Sequence, residues 1–290
     1  APKSRLHFAI PNYQLQFRGE YREILTTYEN IEGDLSWNGD MEHPEIEARI
    51  RAKGLLFDYF ELEKSHLPHL YFKAKEGRVK LRYQDYRLVF EKLALSAYDG
   101  LLASELNIDL KREPVHFDFD VAARNFALER VLADVFNLPD FLGGKLDFIF
   151  QGHSKTLMLE RIIARGKVAV KDLSFLGFPQ EKKLELPRLK RALPGTTFGD
   201  CNFDVKLDHA FLDMMKIRSN SDAGELLGFI HYNILTLKIQ AGLGFDFSSS
   251  FLDSYPGVRM EVPRGKLDMT MQGRVVEPFI DYAPAVPSDG

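Results

Sequence analysis

The chain has 290 residues and a mass of 33.2 kDa, the upper end of what one hydrophobic core supports, so one large or two small domains fit. With 38 Lys and Arg against 42 Asp and Glu the formal net charge is −4, and no basic cluster stands out, which argues against a nucleic-acid partner. A composition 45% hydrophobic and 28% charged excludes wholesale disorder, collagen-like chains and disulfide scaffolds, and the single cysteine, Cys201, has no second thiol for a disulfide or a metal site.

Short runs alternating apolar and polar residues dominate the sequence, the mark of strands with one buried and one wet face. In chain order the apolar positions are Leu6, Phe8, Ile10; Tyr13, Leu15, Phe17; Val79, Leu81, Tyr83; Leu106, Ile108, Leu110; and Phe117, Phe119, Val121. They continue through Leu146, Phe148, Phe150; Phe203, Val205, Leu207; Leu235, Leu237, Ile239; Leu243, Phe245, Phe247; Val258, Met260, Val262; and Leu267, Met269, Met271. Turn signals fall at Glu32-Gly33-Asp34, Asn38-Gly39-Asp40, Lys75-Glu76-Gly77, Asp99-Gly100, Pro194-Gly195 and Pro256-Gly257, which suits antiparallel hairpins.

Two segments carry a helical period. The first is Val121 to Asn137, with Leu128, Val131, Leu132 and Val135 on one face, Asp118 or Asp120 as cap, and Pro139 with Gly143-Gly144 as the stop. The second is Ser154 to Arg165, with Met158, Leu159, Ile162 and Ile163 on one face, Ser154 as cap and Gly166 as closure. The expected fold is therefore mainly β: an antiparallel sheet with two short covering helices. Two helices shield only part of such a sheet, so it either curls around a filled interior or leaves an apolar trough for an apolar ligand.

Catalytic and metal signatures are weak. His66-Leu67-Pro68-His69 spaces two imidazoles by three, but Pro68 breaks a regular helical face, and His116 with Asp118 is an isolated pair. Gly152-His153-Ser154 lacks the spacing of a nucleophile elbow, and Gly143-Gly144-Lys145 that of a phosphate loop. The carboxylates Asp118, Asp120, Asp147, Asp204, Asp208 and Asp268 fall mostly on the polar faces of expected strands. Arg188, Lys190 and Arg191, between Pro187 and Pro194, form the most basic short segment and read as an exposed loop able to meet lipid headgroups. The expectation is a protein that is not an enzyme, with no cofactor and no metal.

No segment reaches the ~18 to 20 uninterrupted apolar residues of a membrane-spanning helix; Leu226 to Ile239 is interrupted by Gly228, His231 and Asn233. The sequence opens Ala1-Pro2-Lys3 without a methionine, which fits the removal of a signal peptide or membrane anchor.

From Asp118 onward the order of features resembles the AsmA-like (AsmA/TamB-type) family of Gram-negative envelope proteins. The resemblance is carried by Leu138-Pro139, Gly143-Gly144, the strand Lys145 to Gln151, then Gly152, Ser154 and Gly166, and by Val262 to Ile280 with Gly273 and Pro278. Gly33 to Gly39 and Tyr98 to Ser104 are similar to hairpin elements of such proteins, whereas Asp208-His209-Ala210 departs from the family's glycine-containing turn. The resemblance implies an elongated, curved β-groove, or β-taco, with residues 1–115 forming its N-terminal hairpins and 116–290 an AsmA-like C-terminal portion continuous with them. It further implies a periplasmic lipid-binding module, with room for a membrane anchor in the full-length precursor. Such a module holds phospholipid or another acyl lipid, supports lipid transport or outer-membrane biogenesis, and pairs with an envelope protein through its sheet edges.

The residues expected to line the groove are Phe148, Phe150, Phe203, Val205, Leu207, Phe245, Phe247, Met269 and Met271. The alternative from another class is a structural component of a secretion apparatus, like the N subunit of type II secretion, in which the same faces form a packed core.

Overall fold

The computed structural model describes residues 4–18, 22–38, 44–61, 70–156, 161–179, 185–275 and 277–284. Among them, the strands of the first half are β1 (Ser4–Arg18), β2 (Arg22–Asn38), β3 (Glu45–Ala52), β4 (Gly54–Glu61), β5 (Leu70–Gln84), β6 (Arg87–Ala97), β7 (Gly100–Asp109), β8 (His116–Ala127) and β9 (Leu142–Ser154). Those of the second half are β10 (Ile163–Phe175), β11 (Thr197–Asp208), β12 (Phe211–Ser221), β13 (Gly224–Asn233), β14 (Lys238–Phe247), β15 (Lys266–Arg274) and β16 (Glu277–Pro284). Four short helices accompany them among the described residues: α1 (Leu128–Phe136), α2 (Pro187–Ala192), α3 (Ser249–Ser254) and α4 (Pro256–Glu261). The strands join in sequence order in one antiparallel sheet, with β3 and β4 sharing one place between β2 and β5 and separated at Lys53. The fold is mainly β, as the alternation implies.

Several local expectations are corrected. The first helix starts at Leu128, because Val121 to Ala127 completes β8; Asp118 and Asp120 lie exposed in that strand, and no side chain caps α1. The second expected helix does not form at its described ends. Ser154 closes β9 and Ile163 to Arg165 open β10, where Ala164, Val168 and Val170 bury one face at period two. Met158 and Leu159 lie outside the described residues. Ser154 caps no helix: its hydroxyl accepts from the Thr156 amide (3.2 Å) and donates to the Thr156 carbonyl (2.8 Å).

Val258, Met260 and Val262 are not a strand. Pro256 sets the first turn of α4, Val258 and Val262 are buried one helical turn apart, and Met260 is 66% exposed. Leu235 and Leu237 belong to a turn, in which the Asn233 side chain accepts from the amides of Leu235 (3.1 Å) and Thr236 (2.9 Å). The basic segment at Arg188 to Arg191 is helix α2 rather than a loop. Glu32-Gly33-Asp34 and Lys75-Glu76-Gly77 lie inside β2 and β5. Gly33 is there for space, since a Cβ on it would sit 2.4 Å from Cζ of Phe8 on the neighbouring strand.

The chain forms two compact units: residues 1–126 with 148–165, and residues 127–147 with 166–290. In unit 1, cross-strand pairing assembles apolar rows. One runs Leu6, Leu35, Ala48, Leu81, Phe90, Leu106, Phe119, a single residue from each successive position in the sheet. Its neighbour starts at Phe8 and Gly33 and passes through Ile50, Val79 and Leu93.

A fault crosses the first strands at one level. The apolar positions there step by three, from Ile10 to Tyr13, Ile31 to Tyr28, Ala52 to Leu55 and Gly77 to Ala74, around Asn30 (φ 47°), Lys53 and a bulge at Lys75. Stepping together, neighbouring strands keep their apolar residues opposite one another.

Unit 2 holds all four helices and a closed core. Phe175, Phe198, Leu189, Leu193, Val258, Val262 and Leu267 are fully buried in it. The α2 start is satisfied across the unit, because the Glu261 carboxylate at the end of α4 accepts from the amides of Arg188 (3.0 Å) and Leu189 (2.9 Å). Leucine occupies the N-cap position and supplies no acceptor, so Glu261 does the capping. Replacing it, Glu261→Ala, is expected to lower stability by about 1 kcal/mol, read as a reduced denaturant midpoint at unchanged slope, with Glu261→Gln intermediate.

Candidate functional site

The two units treat their apolar faces differently. In unit 1 the large side chains of the face, including Ile50, Leu81, Phe90, Leu106, Phe119 and Phe150, are half-buried. The buried members are the small Ala48, Ala52, Ala74, Ala97 and Ala123, together with the aromatic Tyr98, Phe117 and Phe126. No helix belongs to this unit among the described residues.

At one end the face is built up by rings. Phe72, Tyr98, Phe126, Phe148 and Phe150 follow one another at centroid distances of 5.6, 5.7, 6.2 and 5.4 Å, all edge to face. Tyr98 is fixed by its hydroxyl, which donates to the Tyr71 carbonyl at 3.1 Å, and by a two-residue turn in which Tyr98 and Asp99 both have positive φ. Gly100 follows because a Cβ there would lie 2.3 Å from the Arg124 carbonyl oxygen.

The opposite face of unit 1 is charged, with the pairing order Asp34, Arg49, Lys80, Lys92 and with Arg51 opposite Arg78. Like charges facing each other across strands repel, and neighbouring acids offset this. Glu76 sits between Arg51 Nε (2.8 Å) and Arg78 Nε (2.7 Å), and Glu91 bridges Lys80 and Arg82 Nε (3.2 Å). The Arg78 hydrogen bond holds Glu76, and the Lys80 hydrogen bond holds Glu91, below the ordinary carboxylate range. Two depressions, of about 580 and 180 Å³, are lined mainly from this face, by residues such as Arg5, His7, Glu47, Arg49 and Arg82. Leu6 and Leu35 also line the larger one, and the charged groups around them, Arg5, Arg49 and Glu47, do not suit an acyl chain.

The expected lining residues therefore separate. Phe148 and Phe150 lie in unit 1, half-buried, within the aromatic series of the open face. The others lie in unit 2. There Val205, Phe245, Phe247, Met269 and Met271 are buried core, Phe245 and Met269 at 1% exposure, while Phe203 and Leu207 are half-buried. Phe245 pairs with Leu226 and Leu267 on the adjacent strands, its ring lies 5.8 Å from those of Phe175 and Phe198, and Phe247 stacks on Phe251 of α3 at 5.2 Å. The buried side chains of this group offer no surface to a ligand.

Ile50 and Phe90 are not among the expected lining residues, yet they sit at the centre of the open face. Their signal is the alternation in Glu45–Ala52 and Arg87–Ala97, strands with no Gly-rich turn to mark them.

Among the described residues no three His, Cys, Asp or Glu side chains converge as metal ligands. His66 and His69 lie outside those residues, and His116 Nδ1 faces the Pro114 carbonyl at 3.1 Å. Burial raises the Cys201 thiol above its ordinary pKa, which keeps it protonated and unreactive at neutral pH. No helix is long and apolar enough to cross a membrane among the described residues. Comparison with protein-family models, curated proteins and solved structures finds no match to this chain.

Proposed function

We propose that the chain is an acyl-lipid-holding module whose binding surface is the open apolar face of unit 1, with transport of phospholipid or support of outer-membrane assembly in the periplasm as its setting. The observation that carries this reading is a contrast in burial: large apolar side chains such as Ile50, Leu81, Phe90, Leu106 and Phe119 are only half-buried in rows across unit 1, while Phe245, Leu267 and Met269 of unit 2 are sealed, with the rings of Phe175 and Phe198 beside Phe245. From β1 to β8 a row crosses seven sheet positions, and six inter-strand spacings of about 4.8 Å give an apolar path of roughly 29 Å. One leaflet of a bilayer has a hydrocarbon depth of about 15 Å, so the path exceeds the length of one acyl chain.

Magnitudes favour a two-chain lipid. Full burial is worth about 0.8 kcal/mol per methylene, and a chain lying on an open face buries about one side, so ~14 methylenes gain on the order of 5 kcal/mol. Association costs take much of that, leaving one chain weakly held and a diacyl lipid held usefully. A row of similar side chains also offers near-equal positions along the path, which allows sliding.

Native mass spectrometry of the purified chain, with solvent extraction of the same sample, tests this reading. Adducts of phospholipid mass that survive gentle desolvation are expected. A bare mass with no extractable lipid would move the assignment to the second reading, a scaffold of a secretion or envelope assembly, which the packed core of unit 2 favours.

A further inference from the structure

The two ends of the strand order differ in how they are guarded. β16 spans eight residues, contains Pro278 and Pro284, and is pinned by the Tyr282 hydroxyl, which donates to the Pro179 carbonyl. β1 spans fifteen residues and, among the described residues, pairs only with β2, so its other edge presents backbone groups with no strand beside them. Apolar residues run out to that edge: Leu6, Ile10 and Tyr13 are 51%, 39% and 47% exposed. A long, apolar edge with no described strand beside it is a template for another strand.

We propose that the occupant of the β1 edge is β1 of a second copy of this chain, in an antiparallel two-fold pair. The argument is the pattern of β1 itself. Its apolar positions, Leu6, Phe8, Ile10, Tyr13, Leu15 and Phe17, read the same in both directions about the step between Pro11 and Asn12. A two-fold pair centred there sets Ile10 opposite Tyr13, Phe8 opposite Leu15 and Leu6 opposite Phe17. Each apolar position then meets an apolar one, and each fault meets a fault.

β2 already solves the same problem on the other side of β1. Ile31 and Tyr28 flank Glu29 and Asn30 and lie opposite Ile10 and Tyr13, so a second β1 reproduces the step its own partner makes. Positions of the other face fall together as well, with His7 opposite Gln16 and Ala9 opposite Gln14. Pro11 lacks an amide and interrupts the ladder at its centre, and an edge strand is where proline is tolerated. Arg5 falls opposite Arg18 at each end, a like-charge pair that salt screens. Both strands are ordered before they meet, so the pair forms without the ordering cost of an isolated hairpin.

Sedimentation of the full chain over a concentration series is expected to show a monomer–dimer equilibrium that tightens as salt is raised. Ile10→Lys, which sets an inward charge on the edge, is expected to return the monomer with the far-ultraviolet spectrum unchanged. The register is tested separately with Ala9→Cys combined with Gln14→Cys, which the pairing sets opposite each other. Oxidation is expected to yield a covalent dimer, while Ala9→Cys with Gln16→Cys, one same-face position away, is expected to give far less; buried Cys201 stays out of the reaction. A chain that remains monomeric throughout, a dimer untouched by Ile10→Lys, or equal crosslinking by both cysteine pairs would each overturn the proposal.

Discussion

Phe245→Asp is expected to abolish the cooperative unfolding transition of unit 2. The side chain is 1% exposed, pairs with Leu226 and Leu267, and has the rings of Phe175 and Phe198 at 5.8 Å. Two effects add. Truncating a buried phenylalanine costs about 3 to 5 kcal/mol through lost transfer and cavity, and a carboxylate with no partner in that space adds several more unless it protonates. The sum approaches the whole stability of a typical domain, about 5 to 15 kcal/mol. Chemical denaturation followed by far- and near-ultraviolet circular dichroism reads this directly. Phe245→Leu is the control, expected to lose part of the stability and keep the transition. A folded, cooperative Phe245→Asp protein would mean that the position faces an open, wet trough after all.

Much of the architecture around Phe245 is legible in the residues themselves. Alternation locates strands wherever one face is apolar and the other polar, as in Leu243 to Phe247 and Leu267 to Met271, because the period of two is the geometry of the strand itself. It fails where strands are joined by unmarked turns. Asp85-Tyr86 and His209-Ala210 reverse the chain with positive φ at both residues, a conformation usually signalled by Asn-Gly or Asp-Gly, so β6 and β12 have no visible start. It also misassigns Val258, Met260 and Val262, because Val258 and Val262 fit the spacing of both a strand face and a helix face; Pro256 decides for the helix.

The site is legible in kind and not in position. An apolar face in excess of the covering helices follows from counting faces, and half-buried apolar rows lie in the unit that has no described helix. Which face stays open depends on where the helices lie in the fold. α2, α3 and α4 are six residues each, too short for a helical period to show, and they belong to the unit that holds most of the expected lining residues. Phe148 and Phe150 belong to unit 1, because β9 contributes its second half to that unit.

Leu81→Asp is expected to have the opposite profile to Phe245→Asp: fold retained, lipid lost. Leu81 lies in the middle of the row through Ala48 and Phe90 and is half-buried, so a carboxylate there reaches water and costs stability only about 1 to 2 kcal/mol. An acyl chain crossing the row would have to desolvate that charge or lift away from the face. Either penalty of about 1.4 kcal/mol or more weakens retention about tenfold, and a charge against hydrocarbon exceeds that figure. The expected result is at least about a tenfold loss of phospholipid adducts at an unchanged far-ultraviolet spectrum, matched by Phe150→Asp at the ring-lined end. Leu81→Met nearly keeps volume and polarity and is expected to keep the lipid. Unfolding of Leu81→Asp would instead assign the row to a packed core, and full retention of lipid would place the acyl chains elsewhere on the molecule.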